Sequence, residues 1–342
     1  MRRHVVLLGN PGTKRTIYLE QAAEASRLPV LLVEWKDWQE HLPEGELYIK
    51  IDPPLWDSCT LGELTGLVRD YRQALETLAY MAEKRPITFF NHPREILALL
   101  DKQGCKERLR QAGLLVTDVL TLPDHFISNT DQLVAAMEQQ HVHQVFIKPV
   151  YGSGAAGVAA FRFQPRTGRM ALYTCAAETE DGGLANTRNL SHYSDPCQIR
   201  RLLNRLLALN CIVERWYAKA KFHGMPYDLR VVIQEGEPDY SLARLSHGPI
   251  TNLHLNNHPL DLAALGLSEH TLSQVHSLCR AAINCYPTLT GAGIDILLEK
   301  GSLRPRIIEM NAQGDLIYQD IYHENHIYSH QTKIMKRWLK EE

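Results

Sequence analysis

The sequence predicts an α/β protein that opens with a small parallel sheet and continues into a larger α+β body. Three observations carry this. Apolar, β-branched runs alternate with helical-period segments over roughly the first hundred residues. A strand, a glycine-rich loop and a second strand follow one another within 144–163. Two apolar runs, 292–299 and 305–310, form a strand pair near the end.

Taken in order, residues 4–8 (HVVLL) read as a strand and 9–12 (GNPG) as a turn. Thr13 is the N-cap of a helix running to about residue 28. Strands follow at 29–35 (PVLLVEW) and 47–51 (LYIKI). Leu61, Leu64, Leu67, Val68, Tyr71, Leu75, Leu78 and Ala82 fall on one helical face. A short strand at 88–90 precedes two helices, one through 98–100 and one over 101–112. A strand near 116–120 and a helix over 130–140 lead to the strand 144–148, the loop 149–157 and the strand 158–163. Residues 164–195 are rich in Gly, Asn, Thr and Ser and read as loop and edge strand. A helix at 199–209, strands at 211–216, 228–234 and 240–245, and a helix at 272–284 precede the final strand pair, which turns at Lys300-Gly301.

A chain of 342 residues exceeds one average domain. We divide it into an N-terminal unit (1–95), a middle unit (96–210) and a C-terminal unit (211–342). With 44% hydrophobic and 22% charged residues, disorder is excluded. Lys plus Arg (37) nearly balance Asp plus Glu (39), so no electrostatic argument favours a nucleic-acid partner. No run of 18 apolar residues exists and the start lacks a signal-peptide core, so no membrane partner is expected. Seven cysteines without a C-x-x-C pair fit reduced thiols in a cytoplasmic protein and exclude zinc ribbons.

Chemistry concentrates in two places. Lys148 ends a strand and is followed by Gly152, Ser153, Gly154 and Gly157 before the next strand, so backbone amides and a fixed cation can grip phosphate. An ordinary glycine hairpin has the same appearance. No helix follows, which excludes a Walker loop and a dinucleotide fingerprint. Glu309 and Asn311 share one strand face, and Asp295 lies on the neighbouring strand. These hard oxygen donors suit magnesium, although solvated strand-end residues look alike. Lys14 and Arg15, at a loop-to-helix start, can meet a substrate carboxylate or simply be solvated. Asp52-Pro53-Pro54 ends the third strand as a rigid turn or a ligand contact. His141, His143, His323 and His326 lack a third ligand and read as surface residues. The tail KIMKRWLKEE reads as a docking helix.

Lys102, the lysine–glycine loop, CIVERWY (211–217), YDLRVVI (227–233), ARLSHGPITNLHL (243–255) and the D…E-x-N ending occur in one fixed order. Over about residues 95–320 this order resembles the ATP-grasp superfamily. In particular it resembles the carboxylate–amine ligases that include glutathione synthetase and the enzymes adding glutamate to peptides and to ribosomal protein. The resemblance implies an ATP-grasp fold preceded by a small open parallel-sheet domain. It also implies ATP as nucleotide, with one or two magnesium ions or manganese in their place.

By the same resemblance Lys102 and Lys148 contact phosphates under the loop of Gly152, Ser153, Gly154 and Gly157. Glu214, Arg215 and Trp216 form the hinge against adenine, here Glu-Arg where many relatives have Gln-Glu. Arg230, Arg244, Asn252 and His254 face the transferred phosphoryl group, and Asp295, Glu309 and Asn311 ligate the metal. The implied reaction activates a carboxylate as an acyl phosphate, which an amine attacks. The substrate is then a small molecule or peptide, and a homo-oligomer is allowed. A small-molecule kinase on the same fold and a non-catalytic nucleotide-binding protein are the alternatives.

Overall fold

The computed structural model describes residues 2–55, 60–122, 126–151, 156–180, 182–251, 257–313 and 325–340. At the N-terminus β1 (Arg3–Gly9), β2 (Val30–Glu34), β3 (Glu46–Ile51) and β4 (Ile87–Phe89) pair in parallel, in the order β2-β1-β3-β4. The expected open parallel sheet is present. Thr13 caps α1 (Lys14–Ser26), its hydroxyl accepting the Thr16 amide. A single turn, α2 (Trp38–His41), separates β2 from β3, and α3 (Leu61–Ala82) buries the stripe Val68, Tyr71, Leu75 and Leu78. Just past β4, Asn91 stitches this unit to the rest of the chain. Its Nδ2 donates to the Gly291 carbonyl at 2.8 Å, and its Oδ1 accepts the Thr290 and Gly291 amides.

Two helices, α4 (Pro93–Leu100) and α5 (Lys102–Gln111), lead to the second sheet. Asp101 caps α5 by accepting the Gln103 and Gly104 amides. Residues 116–120 do not form the expected strand. Val116 makes one bridge to Ile307 and Val119 one to Glu214, so this segment spans two sheets instead of extending either.

After α6 (Thr130–Gln139) come β5 (Gln144–Pro149), β6 (Ala159–Gln164), β7 (Arg169–Glu178), β8 (Leu184–Tyr193), α7 (Pro196–Leu207) and β9 (Cys211–Arg215). The strands form an antiparallel sheet ordered β8-β7-β6-β5-β9. The polar stretch 164–195 thus contains two ten-residue strands, and only β8 lies at the edge. Sequence composition under-read β7 because its core-facing residues, Met170, Leu172, Thr174 and Ala176, include weak strand formers. An irregularity between Thr174 and Ala176 also breaks the alternation. Ile199, Leu202, Leu203 and Leu206 of α7 are buried with this sheet's core.

The next sheet region contains β10 (Lys221–Phe222), β11 (Met225–Gln234), β12 (Glu237–Leu245), β13 (His258–Asp261), α8 (Glu269–Asn284), β14 (Gly291–Leu298) and β15 (Pro305–Asn311). Its antiparallel order is β13-β12-β11-β14-β15, with β10 on β11. Leu229, Val231 and Ile233 of β11 join Ile294 and Ile296 of β14 and Val275 and Cys279 of α8 in one core. Asp228, Arg230 and Val232 therefore face the opposite side. The final helix, α9 (His326–Lys340), returns to the N-terminal sheet, where Tyr328, Ile334 and Met335 complete a core with Val5, Leu7 and Leu19. Among the described residues no helix is long and apolar enough to cross a membrane.

Candidate active site

Strand register gathers the charges into one row on the free face of the last sheet. Asp228 in β11 pairs with Arg244 in β12, Arg230 with Asp295 in β14, and Asp295 with Glu309 in β15. Arg244 Nε donates to Asp228 Oδ1 at 2.7 Å, and its Nη2 lies 3.0 Å from Asp295 Oδ2. Arg230 donates to both Asp295 oxygens. Two arginines therefore share one carboxylate. Lys219 closes the far end, its Nζ donating to Asp228 Oδ2 at 2.9 Å and to Thr251 Oγ1 at 2.7 Å.

Burial works against the Asp228 charge, but Arg244 and Lys219 outweigh it and hold the carboxyl at about 2, against an ordinary 3.8. Burial also opposes the Arg244 charge, yet Asp228 and Asp295 drive its pKa upward. For Lys219 burial wins, and its pKa falls below the usual lysine value. A depressed carboxyl contributes stability above its unfolded value and loses it as pH falls through the folded one. Asp228 should thus contribute fully above about pH 4 and progressively less toward about pH 2. Urea denaturation of wild type and Asp228→Asn should show their difference shrinking across that window. A difference that stays constant would overturn this account.

The opposite wall is built by α5, β5 and β9. The Lys102 amide donates to the Val150 carbonyl at 3.2 Å, which brings the start of α5 beside the end of β5. Lys102 Nζ lies 3.9 Å from Glu309 Oε1. Lys148 Nζ donates to Glu214 Oε2 at 3.2 Å, Lys106 Nζ lies 3.3 Å from the same oxygen, and Thr117 donates to it at 2.7 Å. Burial alone would raise the Glu214 pKa, but Lys106 and Lys148 bring it below the usual carboxylate range. Burial lowers Lys106, whereas for Lys148 the carboxylates of Glu214 and Glu309 overcome burial and raise it. Lys148 is the more firmly charged of the two.

Between these walls lies a cleft partly open to solvent. Lys102, Lys148, Glu214, Arg244, Asp295 and Glu309 contribute to its polar lining. Phe146, Val158, Leu297 and Ile308 supply apolar surface, a mixture typical of small-ligand sites. Arg215 also lines the cleft. Trp216 turns its ring toward Phe146 (5.2 Å) and Arg162 (4.3 Å), and its amide donates to the Gln144 carbonyl. Asn311 pairs with Gly293, two positions along β15 from Glu309. Gly157 holds φ +68°, and a Cβ there would come within 2.9 Å of Pro149 Cγ, so only glycine fits.

Gly152, Ser153, Gly154, Asn252, His254 and His323 lie outside the described residues. Lys14 and Arg15 stand apart from the row at the start of α1, where Arg15 lines a second pocket with Lys50 and Asp52. Among the described residues no three His, Cys, Asp or Glu side chains form a metal cluster. A cation in the cleft would rest on two carboxylates in register, with the Asn311 amide on the same strand.

Sequence reasoning passed over Lys106, Thr117 and Lys219, and quoted Tyr217, Asp228 and Thr251 only within motifs. Two signals were available. Lys106 follows Lys102 by four residues on a helix, and Asp228 precedes Arg230 by two on a strand. For Lys219 no local pattern exists, since only the sheet brings it to Asp228.

No protein-family model matches the chain, and no curated protein matches its sequence. Solved structures do. D-cycloserine synthetase DcsG aligns with a TM-score of 0.63 at 11% identity, covering 97% of this chain and 99% of its own. The macrocyclase MdnC of Microcystis aeruginosa MRC, bound with precursor peptide MdnA, aligns at 0.60 and 12% identity over 98% of this chain and 100% of its own. The ATP-grasp ligase PsnB, complexed with minimal precursor, Mg and ADP, aligns at 0.59 and 14% identity over 98% of each chain. At such identities the similarity shows the fold: an ATP-grasp fold preceded by an open parallel sheet.

Proposed function

We propose that the protein is an ATP- and magnesium-dependent ligase that joins a carboxylate to an amine through an acyl phosphate. The observation that carries this reading is that Arg244, Asp295 and Glu309 face Lys102 and Lys148 across one cleft, with Arg230 paired to Asp295 behind them. A carboxylate resists amines until its oxygen becomes a good leaving group, which transfer of the ATP γ-phosphoryl achieves. That transfer needs positioned positive charge more than a covalent nucleophile. Lys148 and Lys102 would bind phosphate oxygens, while Arg230 and Arg244, held by Asp295, would orient the acceptor carboxylate and the oxyanion formed on amine attack. Glu309, Asp295 and Asn311 fit magnesium as hard oxygen donors and would hold it there. When bound, the ion neutralises phosphate charge. The loop ending at Gly157 would exclude the water that hydrolyses an acyl phosphate.

PsnB with Mg and ADP supports the cofactors, and peptide-bound PsnB and MdnC support an amino-acid or peptide substrate. Thermal unfolding tests the nucleotide site. A non-hydrolysable ATP analogue should raise the melting temperature in a magnesium-dependent way, since ligand binding to the native state alone stabilises it. Lys148→Ala should weaken analogue binding about tenfold or more, as loss of a charge-assisted contact does. The absence of any shift at saturating analogue would overturn the reading. ADP release that requires an amine co-substrate separates ligation from phosphorylation of a hydroxyl.

A further inference from the structure

Glu214 is buried in the cleft wall and rests its charge on one oxygen. Lys148 Nζ donates to Oε2 at 3.2 Å, Thr117 Oγ1 donates to it at 2.7 Å, and Lys106 Nζ lies 3.3 Å from it. The other oxygen, Oε1, accepts no hydrogen bond among the described residues. The two lysines are not equivalent. Lys148 lines the cleft beside Glu214, whereas Lys106 stands behind them on α5 with its ammonium fully used. Its three N–H groups meet three acceptors from three parts of the chain: Thr117 Oγ1 at 2.5 Å, the Ile308 carbonyl of β15 at 2.8 Å and Glu214 of β9. Ile308 precedes Glu309, so this one ammonium ties the strand of Glu309 to the strand of Glu214.

A phosphate in the cleft would compete with Glu214 for Lys148. If Lys148 were the only cation on that carboxylate, yielding to phosphate would strand a buried charge, and stranding one is costly. Lys106 changes the outcome, because its three contacts keep it on Glu214 whatever Lys148 does. Burial lowers the Lys106 pKa, Glu214 pulls it back up, and the nearby Lys148 charge is the next influence pressing it down. Drawing Lys148 toward phosphate relieves that repulsion, so Lys106 is more firmly charged when it holds Glu214 alone. We propose that Lys106 is a positioning residue, a resident counter-cation for Glu214 that releases Lys148 to bind nucleotide phosphate. The proposal rests on the ligase reading above and adds to it a residue that acts only through its neighbours.

Titration calorimetry of the full chain tests this, with a non-hydrolysable ATP analogue plus magnesium and, separately, with adenosine. Lys106→Met keeps the buried stem and removes the charge. Its affinity for the analogue should fall about tenfold or more, as loss of a charged contact implies, while its affinity for adenosine, which brings no phosphate, should stay within about twofold of wild type. In a Glu214→Gln background no carboxylate competes for Lys148, so adding Lys106→Met should change analogue affinity by less than about twofold. Lys106→Gln, which keeps two donors for Thr117 and the Ile308 carbonyl, should reproduce the loss and guards against a packing defect in the methionine variant. Equal weakening of analogue and adenosine, the same loss in both backgrounds, or failure of both Lys106 variants to fold would make Lys106 a structural residue and overturn the proposal. Undiminished analogue binding in Lys106→Met overturns it as well. Absence of magnesium-dependent analogue binding in wild type instead overturns the reading beneath it.

Discussion

Replacing Glu309 by alanine is expected to cost about 10²–10³-fold in turnover, the scale of losing one preorganised electrostatic group, with little change in stability. The side chain is about a quarter exposed and faces the cleft, and Lys102 at 3.9 Å is its one ion-pair partner among the described residues. So loose a pair contributes at most about 1 kcal/mol to folding. Steady-state ADP release and urea denaturation measured on the same preparation separate the two effects. Near-wild-type turnover would remove Glu309 from the chemistry. A loss of several kcal/mol in stability would instead make it a structural residue.

The reverse pattern is expected at Asp228. Alanine there leaves Arg244 and Lys219 buried with their shared carboxylate gone, and breaking a buried ion pair from one side costs about 3–5 kcal/mol. Arg244 would keep only Asp295, so the alignment of the row should suffer as well. Urea denaturation should show the destabilisation directly. The double variant Asp228→Leu, Lys219→Met should recover part of it, because it removes a stranded cation along with the anion. A loss below about 1 kcal/mol for Asp228→Ala would mean that water reaches the network and screens it.

Local patterns carried much of this architecture. Thr13, the α3 stripe and the alternation of strands with helices are short-range signals, and the N-terminal sheet follows from them. Glu309 and Asn311 could be placed on one face because strand period needs only the sequence, and Asp295 could be set opposite because the turn at Lys300-Gly301 is short. Contacts made across sheets were not legible. Glu214 meets Lys106 and Thr117 only because β9 pairs with β5 while α5 packs on β15. The strand β7 hid among alanine, threonine and cysteine, residues whose burial is decided by the covering helix α7 and not by their own preference.

The placement of α9 on the N-terminal sheet bears on how the chain is made. Arg3 Nη1 donates to the Trp338 carbonyl across 335 positions, and the core of Val5, Leu7 and Leu19 is completed by Tyr328, Ile334 and Met335. At about 5–20 residues per second, the ribosome delivers that closing helix roughly 15 s to a minute after the first strand. Until then the apolar face of the nascent sheet is only partly covered, by Leu19, Ala22 and Ala23 of α1. Truncations or slow codons upstream of α9 should therefore penalise yield through the first-made unit rather than the last.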